Sequence, residues 1–248
     1  MGALAVDRLV LTRKVRATVH KWRGPAIQVN VSYDGDDPTR FGTNAFYAAI
    51  GRAFVAMCAF IPVLFAIEGI DRLTGNRLDA SGGIRPHDLD GLDGIVFAPF
   101  LHASFSHVLA NSIPLILLGT FVLADGGLRF IWTTIFIALA SGLGVWFTGD
   151  SHSVVVGASG VIFGYLGVLL MRGIVERRWW HIGVGLLIGL LYGWQLLGVL
   201  PTDEKISWQA HLFGFLGGLV AAILFRRRRP RATAATIPAL TLDDPTTP

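Results

Sequence analysis

The sequence predicts an all-α membrane protein, built as a bundle of six transmembrane helices. Of its 248 residues, 52% are hydrophobic and only 15% are charged, and the mean hydropathy is +0.57. Uncharged apolar runs recur along the chain, and each is about as long as a helix needs to cross a hydrocarbon core of roughly 30 Å. This composition excludes a soluble domain of the same length.

Six apolar segments are candidates for membrane spans, and together they define a predicted membrane domain at residues 45–225. Arg52 interrupts the first segment, so its apolar core is predicted to start near Ala53. The six segments are Ala45–Ile67, His107–Ala124, Leu128–Phe147, Val154–Met171, His181–Leu200 and Trp208–Phe225.

The segments outside the spans are polar, with one exception. Residues 1–44 have no apolar run near the start, so we expect no cleavable signal peptide but a mostly flexible tail, with a short strand and turn at Val29–Pro38. Residues 226–248 are predicted to be a basic, disordered tail. The long connection Glu68–Ser106 contains the turn-forming stretch Gly83–Ile95. Its apolar second half, Leu92–His107, is expected to lie in the interface or to pack on the bundle.

The basic residues predict the orientation. If the N-terminus is cytoplasmic, 17 of the 21 Lys and Arg residues lie inside. The other four, on the outside, are Arg72, Arg77, Arg85 and Lys205. The positive-inside rule therefore predicts that both termini are cytoplasmic. The run Arg226–Arg229 is then a stop-transfer cluster against anionic lipid, so no nucleic-acid partner is expected.

Four polar residues in the predicted spans suggest a function, because polar groups are costly in a bilayer. His107 and Asn111 open span two, Ser159 lies near the start of span four, and His211 near the start of span six. All three spans begin at the outer face in this topology. The helical rise would place Ser159 about 8 Å deep and His211 about 5 Å deep, which is a similar level.

Two glycine stripes predict that spans four and six pack closely. These stripes are Gly160 and Gly164 in span four, and Gly214 and Gly218 in span six. We assign Gly157 to the same helix packing. The contact would bring Ser159 and His211 within hydrogen-bond reach, although generic packing of membrane helices explains the glycines equally well on their own.

The chemistry that fits these residues is nucleophilic catalysis. A serine hydroxyl needs an adjacent base, which His211 could provide before it protonates the leaving amine. Asn111 and His107, at i and i+4 spacing on one helix face, could donate to a developing oxyanion together with the backbone N–H of Ser159. No acidic residue is expected at this depth, so the prediction is a Ser–His dyad.

Three motifs resemble those of the rhomboid family of intramembrane serine proteases. They are GASG (Gly157–Gly160), AHLFGFLGG (Ala210–Gly218) and HVLAN (His107–Asn111). The resemblance implies that Ser159 is the nucleophile, His211 the base, and His107, Asn111 and the Ser159 amide the oxyanion hole. It also implies transmembrane protein substrates cleaved in a water-filled cavity, with span five and its neighbouring loop controlling access, and no cofactor.

The sequence departs from the family pattern at two places. Phe163 stands where the family often has a tyrosine that packs on the catalytic histidine, so stacking is kept and any hydroxyl bond is lost. The loop Glu68–Ser106 has no tryptophan, although the family often carries a Trp-Arg pair there. The resemblance therefore does not fix how this loop folds.

Three other functions fit part of the pattern. A catalytically inactive relative could bind and escort membrane proteins, and a transporter could use intramembrane histidines. A zinc site made by His102, His107 and His211 would leave Ser159 and Asn111 unexplained, so no metal is predicted. The sequence leaves three positions open for His102: in the cavity of the candidate site, on a path for water, or at the membrane interface. Cys58 is the only cysteine, which excludes an internal disulfide.

Overall fold

The computed structural model describes residues 15–20, 28–33, 38, 40–177, 179–191, 207–227 and 235–236. The chain divides into two compact units. One unit is formed by Met1–Phe46 with Arg228–Pro248, and the other is Tyr47–Arg227.

The first unit contains a three-stranded antiparallel sheet in the order β1-β2-β3. Its strands are β1 (Val15–His20), β2 (Gln28–Tyr33) and β3 (Ala235–Thr236). The strand expected at the start of Val29–Pro38 is present as β2. The tails were predicted to be flexible or disordered, but the residues of these strands are ordered in a sheet, because their backbone N–H and C=O groups pair across strands. The rest of both predicted tails lies outside the described residues.

The second unit is helical. Its first helix begins at Asn44, shortly before Tyr47, the first residue of the unit. The helices are α1 (Asn44–Leu73), α2 (Arg77–Gly82), α3 (Gly94–Phe97), α4 (Phe105–Ala124), α5 (Gly127–Thr148), α6 (Ser159–Val175), α7 (Trp179–Leu191) and α8 (Trp208–Leu224). Among the described residues, α1, α4 and α5 are long and apolar enough to cross a membrane, and α6, α7 and α8 are shorter apolar helices. The helical membrane bundle is confirmed, and the count of six spans stays a prediction.

Most predicted span boundaries lie close to the observed helix ends. The second, third and sixth spans agree with α4, α5 and α8 to within two residues. The fifth agrees at its start, and the part of His181–Leu200 beyond Leu191 lies outside the described residues. The first helix is longer than predicted and continues to Leu73, and Glu68 and Arg72 form an i, i+4 ion pair of 2.8 Å in this extension.

Helix α6 lies at the centre of the bundle, with 12 of its 17 residues buried. It packs on α8 through the two predicted glycine stripes. A Cβ on Gly214 would collide with the carbonyl oxygen of Gly160, and a Cβ on Gly218 with that of Gly164. The two helix backbones are therefore in direct contact, which only glycine permits at these positions.

The fourth predicted span, Val154–Met171, starts five residues before the helix that the structure shows there. The helix starts at Ser159, and Val155 instead forms an antiparallel bridge with Ile84 through two hydrogen bonds of 2.9 Å. Gly157 has a φ of 126°, a conformation that glycine adopts at little cost. Gly157 is therefore not a helix-packing residue, and the depth of Ser159 cannot be counted from Val154. The β-branched run of valines favours an extended chain, which hydropathy does not distinguish from a helix.

The apolar half of the connection between α1 and α4 packs on the bundle, as one of the two sequence alternatives predicted. Ile95, Ala98 and Leu101 are buried. A Cβ on Gly142 of α5 would lie 2.8 Å from the side chain of Ile95. Helix α3 is therefore seated against α5, close to the extended segment that precedes Ser159.

Candidate active site

Ser159 and His211 are in direct contact. The Oγ atom of Ser159 lies 2.8 Å from Nε2 of His211, as the α6–α8 packing predicted. Ser159 is the first residue of α6, and His211 lies in the first turn of α8. Ser141 of α5 donates from its hydroxyl to the carbonyl of Ala210, at 2.9 Å, and so ties the start of α8 to the bundle.

The ring of Phe163 fixes the plane of the histidine. Its centroid lies 4.2 Å from that of His211 and the two rings are inclined by only 15°, which is a stacked arrangement. Phe163 follows Ser159 by four residues, so both side chains lie on the same face of α6. Stacking therefore orients His211 toward Ser159 without a hydroxyl group at position 163.

His107 and Asn111 lie against Gly157, two residues before the candidate nucleophile. A Cβ on Gly157 would lie 2.8 Å from Cε1 and 2.9 Å from Nε2 of His107, and 3.7 Å from Nδ2 of Asn111. Asn111 is only 4% exposed, and its Nδ2 has no hydrogen-bond partner among the residues that the structure describes. Because a buried amide donor without an acceptor costs about 1–3 kcal/mol, this geometry suits a donor kept for a bound group.

The segment before Ser159 is held by its neighbours on both sides. The backbone N–H of Gly157 donates to the carbonyl of Ala98 at 2.9 Å, and Val155 is bridged to Ile84. In addition, α4 is capped by Ser104, whose hydroxyl accepts from the backbone N–H of His107 at 3.1 Å. These contacts fix the donors and the serine relative to one another.

Ser159 lies at a helix N-terminus, which the sequence prediction missed. The preceding residue, Ala158, provides no side-chain cap for α6. The first-turn N–H groups and the positive end of the helix dipole are therefore directed toward the serine, where they favour negative charge. The β-branched run followed by Gly-Ala-Ser-Gly was the available signal for this strand-to-helix turn.

His102 lies in the protein interior next to His107. It is 1% exposed, which excludes the interfacial position, and its ring centroid is 5.0 Å from that of His107 at an angle of 73°. Burial and the neighbouring His107 lower the pKa of His102 to about 4, partly offset by the carbonyl of Phe100. His102 is therefore neutral near pH 7. Within the described part of the chain, no group of three His, Cys, Asp or Glu side chains could hold a metal.

A second buried polar cluster lies at the other ends of the same helices. Arg172, in the last turn of α6, donates from Nη1 to Oδ2 of Asp125 at 2.8 Å. In the sequence, Arg172 was counted only among the charges that set topology. The structure places it in the interior, 0% exposed, so it also acts within the bundle.

Comparison with known proteins identifies the family. The Rhomboid domain profile matches residues 91–228. An uncharacterized protein of Mycobacterium tuberculosis is 43% identical over 183 residues, which cover 71% of this chain and 76% of that protein. A Mycobacterium leprae protein is 41% identical over 188 residues, or 72% and 74% of the two chains. A candidate rhomboid protease of Bacillus subtilis is 29% identical over 139 residues, or 53% and 66%.

These similarities indicate a bacterial setting, and together with the apolar helices they identify an integral membrane protein. The matched region begins just before α3 and includes α4, α6 and α8, which carry Asn111, Ser159 and His211. The chain is a member of the rhomboid family.

Proposed function

We propose that the protein is an intramembrane serine endopeptidase that cleaves transmembrane segments of other membrane proteins near the outer face. The observation that carries this proposal is the 2.8 Å contact between Ser159 Oγ and His211 Nε2 inside a bundle of apolar helices. A serine in a membrane helix more often bonds to a carbonyl of its own helix. Here the hydroxyl instead contacts a base on a different helix, which is the arrangement that activates a nucleophile.

In the proposed reaction, Ser159 Oγ attacks the scissile carbonyl carbon while its proton passes to Nε2 of His211. The oxyanion that forms accepts hydrogen bonds from His107, from Asn111 and from the backbone N–H of Ser159. His211 then gives the proton to the leaving amine, and an acyl-enzyme remains. Water attacks this ester with His211 as the base, which releases the carboxylic acid product and restores the serine.

The test is covalent labelling of the purified full-length protein with a fluorophosphonate probe, alongside cleavage of a model transmembrane substrate. Ser159→Ala should lose both labelling and cleavage while its thermal unfolding stays close to wild type. Ser151→Ala is the matched control, because Ser151 is an exposed serine in the loop before α6. It should label and cleave like wild type.

A wild-type protein that is folded, inserted and yet neither labelled nor active would contradict the proposal. It would favour an inactive relative that binds membrane proteins. Labelling that persists in Ser159→Ala would exclude Ser159 as the nucleophile.

The proposal includes the location and orientation of the chain. We place it in the bacterial plasma membrane with both termini in the cytoplasm, as the distribution of Lys and Arg predicts. The starts of α4, α6 and α8 then face the outer side. Fusion of a periplasm-dependent reporter to either terminus should therefore give no activity, whereas the same reporter in the loop Glu68–Ser106 should be active.

A further inference from the structure

Among the described residues, the polar cluster at the far ends of α4, α6 and α8 contains three guanidinium groups and two carboxylates. The groups are those of Arg129, Arg172 and Arg227, and of Asp125 and Glu176. Arg129 interacts electrostatically with the other four. The described part of the cluster is therefore rich in guanidinium donors.

The existing contacts fix the two carboxyl-bearing residues in place. Asp125 accepts from Arg172 through its side chain, and its backbone carbonyl accepts from Nη2 of Arg227 at 3.3 Å. Glu176 accepts from the backbone N–H of Arg227 at 3.2 Å. The turn between α4 and α5, the end of α6 and the end of α8 are thus joined at one place.

Several guanidinium nitrogens remain unsatisfied in this cluster. The Nε and Nη2 atoms of Arg172 and the Nη1 atom of Arg129 are shielded from solvent and have no hydrogen-bond partner among the described residues. Arg172 is 0% exposed, so bulk water does not supply the missing acceptors. Burial of a charged donor without an acceptor is costly, which indicates that an anion completes the cluster.

The start of α5 offers a place for such an anion. This 22-residue helix begins at Gly127, directly after Gly126, and neither glycine has an atom within 4 Å of the position where a Cβ would stand. Gly126 provides no side-chain cap, so the first N–H groups of α5 remain available. A helix N-terminus with free N–H groups favours phosphate, and Arg129 lies in the same first turn.

We propose that this cluster binds the phosphate of an anionic phospholipid. A phosphodiester carries one negative charge, and its oxygens can accept from the α5 N-terminus and from Arg129. Leu128, 71% exposed beside them, provides an apolar surface for the acyl chains. Basic pockets at the ends of membrane helices are suited to anionic headgroups. The proposal does not depend on proteolytic activity.

The test uses native mass spectrometry of the full chain in mild detergent, incubated with phosphatidylglycerol or phosphatidylcholine. We expect wild type to retain one phosphatidylglycerol per chain and at least about tenfold less phosphatidylcholine. Arg129→Gln should lower phosphatidylglycerol retention by about tenfold. Arg226→Gln, which removes the same charge from an exposed arginine at the same end, should retain it like wild type.

A second variant keeps the proposal testable if Arg129→Gln unfolds. Gly127→Asp places a carboxylate at the start of α5, in open space and two residues before Arg129. It should raise the thermal unfolding midpoint in lipid-free detergent and abolish phosphatidylglycerol retention. Equal retention of the two lipids, equal behaviour of Arg129→Gln and Arg226→Gln, or full retention by Gly127→Asp would each overturn the proposal. Complete displacement by millimolar inorganic phosphate would show a free-anion site instead.

Discussion

At the scale of single residues, Gly157 determines how closely the candidate oxyanion donors approach the serine. It combines two properties that no other residue type offers. Its φ of 126° is unfavourable for any side chain, and it leaves room for the ring of His107. The glycine two positions before the serine is therefore required by the geometry of the site.

Gly157→Ala should lower the rate of substrate cleavage by about 100-fold, because displacement of catalytic groups by about 1 Å has effects of that size. The added methyl group would lie 2.8 Å from His107 and would push the ring away from Ser159. The measurement is kcat/KM on a model substrate, with fluorophosphonate labelling in parallel. Gly51→Ala, on α1 with open space around it, is the control. Equal rates for both variants would contradict this role of Gly157.

A second residue-scale prediction concerns Asp79 on α2. Burial, together with Asp71 and Glu68, raises the pKa of Asp79 from 3.8 to about 6, although Arg72 opposes this. The folded protein thus binds the proton more tightly than the unfolded chain does. The stabilisation is fully present below pH 3.8 and is lost as the pH rises through about 6.

Asp79→Asn should therefore raise the thermal unfolding midpoint at pH 7.5 and change it little near pH 4. The reason is that asparagine cannot take the charge that destabilises the folded state at the higher pH. Asp90→Asn, an exposed carboxylate in the same connection, controls for the loss of net charge. A larger gain at pH 4 than at pH 7.5 would show that the sign of this linkage is wrong.

At the scale of elements, the glycine stripes made the α6–α8 packing predictable from sequence. Spacing of four residues aligns glycines on one helix face, and close backbone approach is the usual use of such a face in membranes. The contact of Ser159 with His211 followed from it. The extended segment before Ser159 was not predictable in the same way, because Val154, Val155 and Val156 are as apolar as a membrane span.

Gly218→Ala should destabilise the bundle by about 1–3 kcal/mol, the usual effect of overpacking a close contact. The added methyl group would collide with the carbonyl oxygen of Gly164, which is backbone and cannot move aside. Thermal unfolding in detergent measures this, and Gly183→Ala on α7, which has open space around it, is the control. Unchanged unfolding of Gly218→Ala would mean that α6 and α8 are not held together at this point.

At the scale of the helical unit, the proposed topology predicts where substrates are cut. A stable substrate helix hides its carbonyl groups in intrahelical hydrogen bonds, so the scissile segment must unwind. Small or helix-destabilising residues lower that cost. We expect scission near the outer end of the substrate span, beside a small residue.

Substitution of Gly just below the cut should raise the rate, and Leu should lower it. Mass spectrometry of the products from a substrate series would locate the cut. Cuts in the cytoplasmic half, or rates that do not respond to helix stability, would contradict the topology and the mechanism.

The helical bundle and the contact between Ser159 and His211 were predictable because each depends on a local pattern of apolar, small and polar residues. The role of Arg172 was not, because charge counts treat every arginine near a span end alike. Its pairing with Asp125, 47 positions earlier in the chain, depends on how three helix ends meet. The same holds for Gly157, whose contacts with Ala98 and His107 join positions far apart in the chain.

The Arg172–Asp125 ion pair joins the end of α6 to the end of α4, so distances along both helices can be measured from this pair. Ser159 stands 13 residues before Arg172 and Asn111 stands 14 before Asp125, or about 20 and 21 Å at the helical rise. Phe105, the first residue of α4, stands about 30 Å above the same level. Ser159 therefore lies about 10 Å below the start of α4 along the bundle. Deletion of one residue from α6 would lower Ser159 by about 1.5 Å and rotate it by about 100°, so the charged end of the bundle fixes the height at which the serine meets its partners.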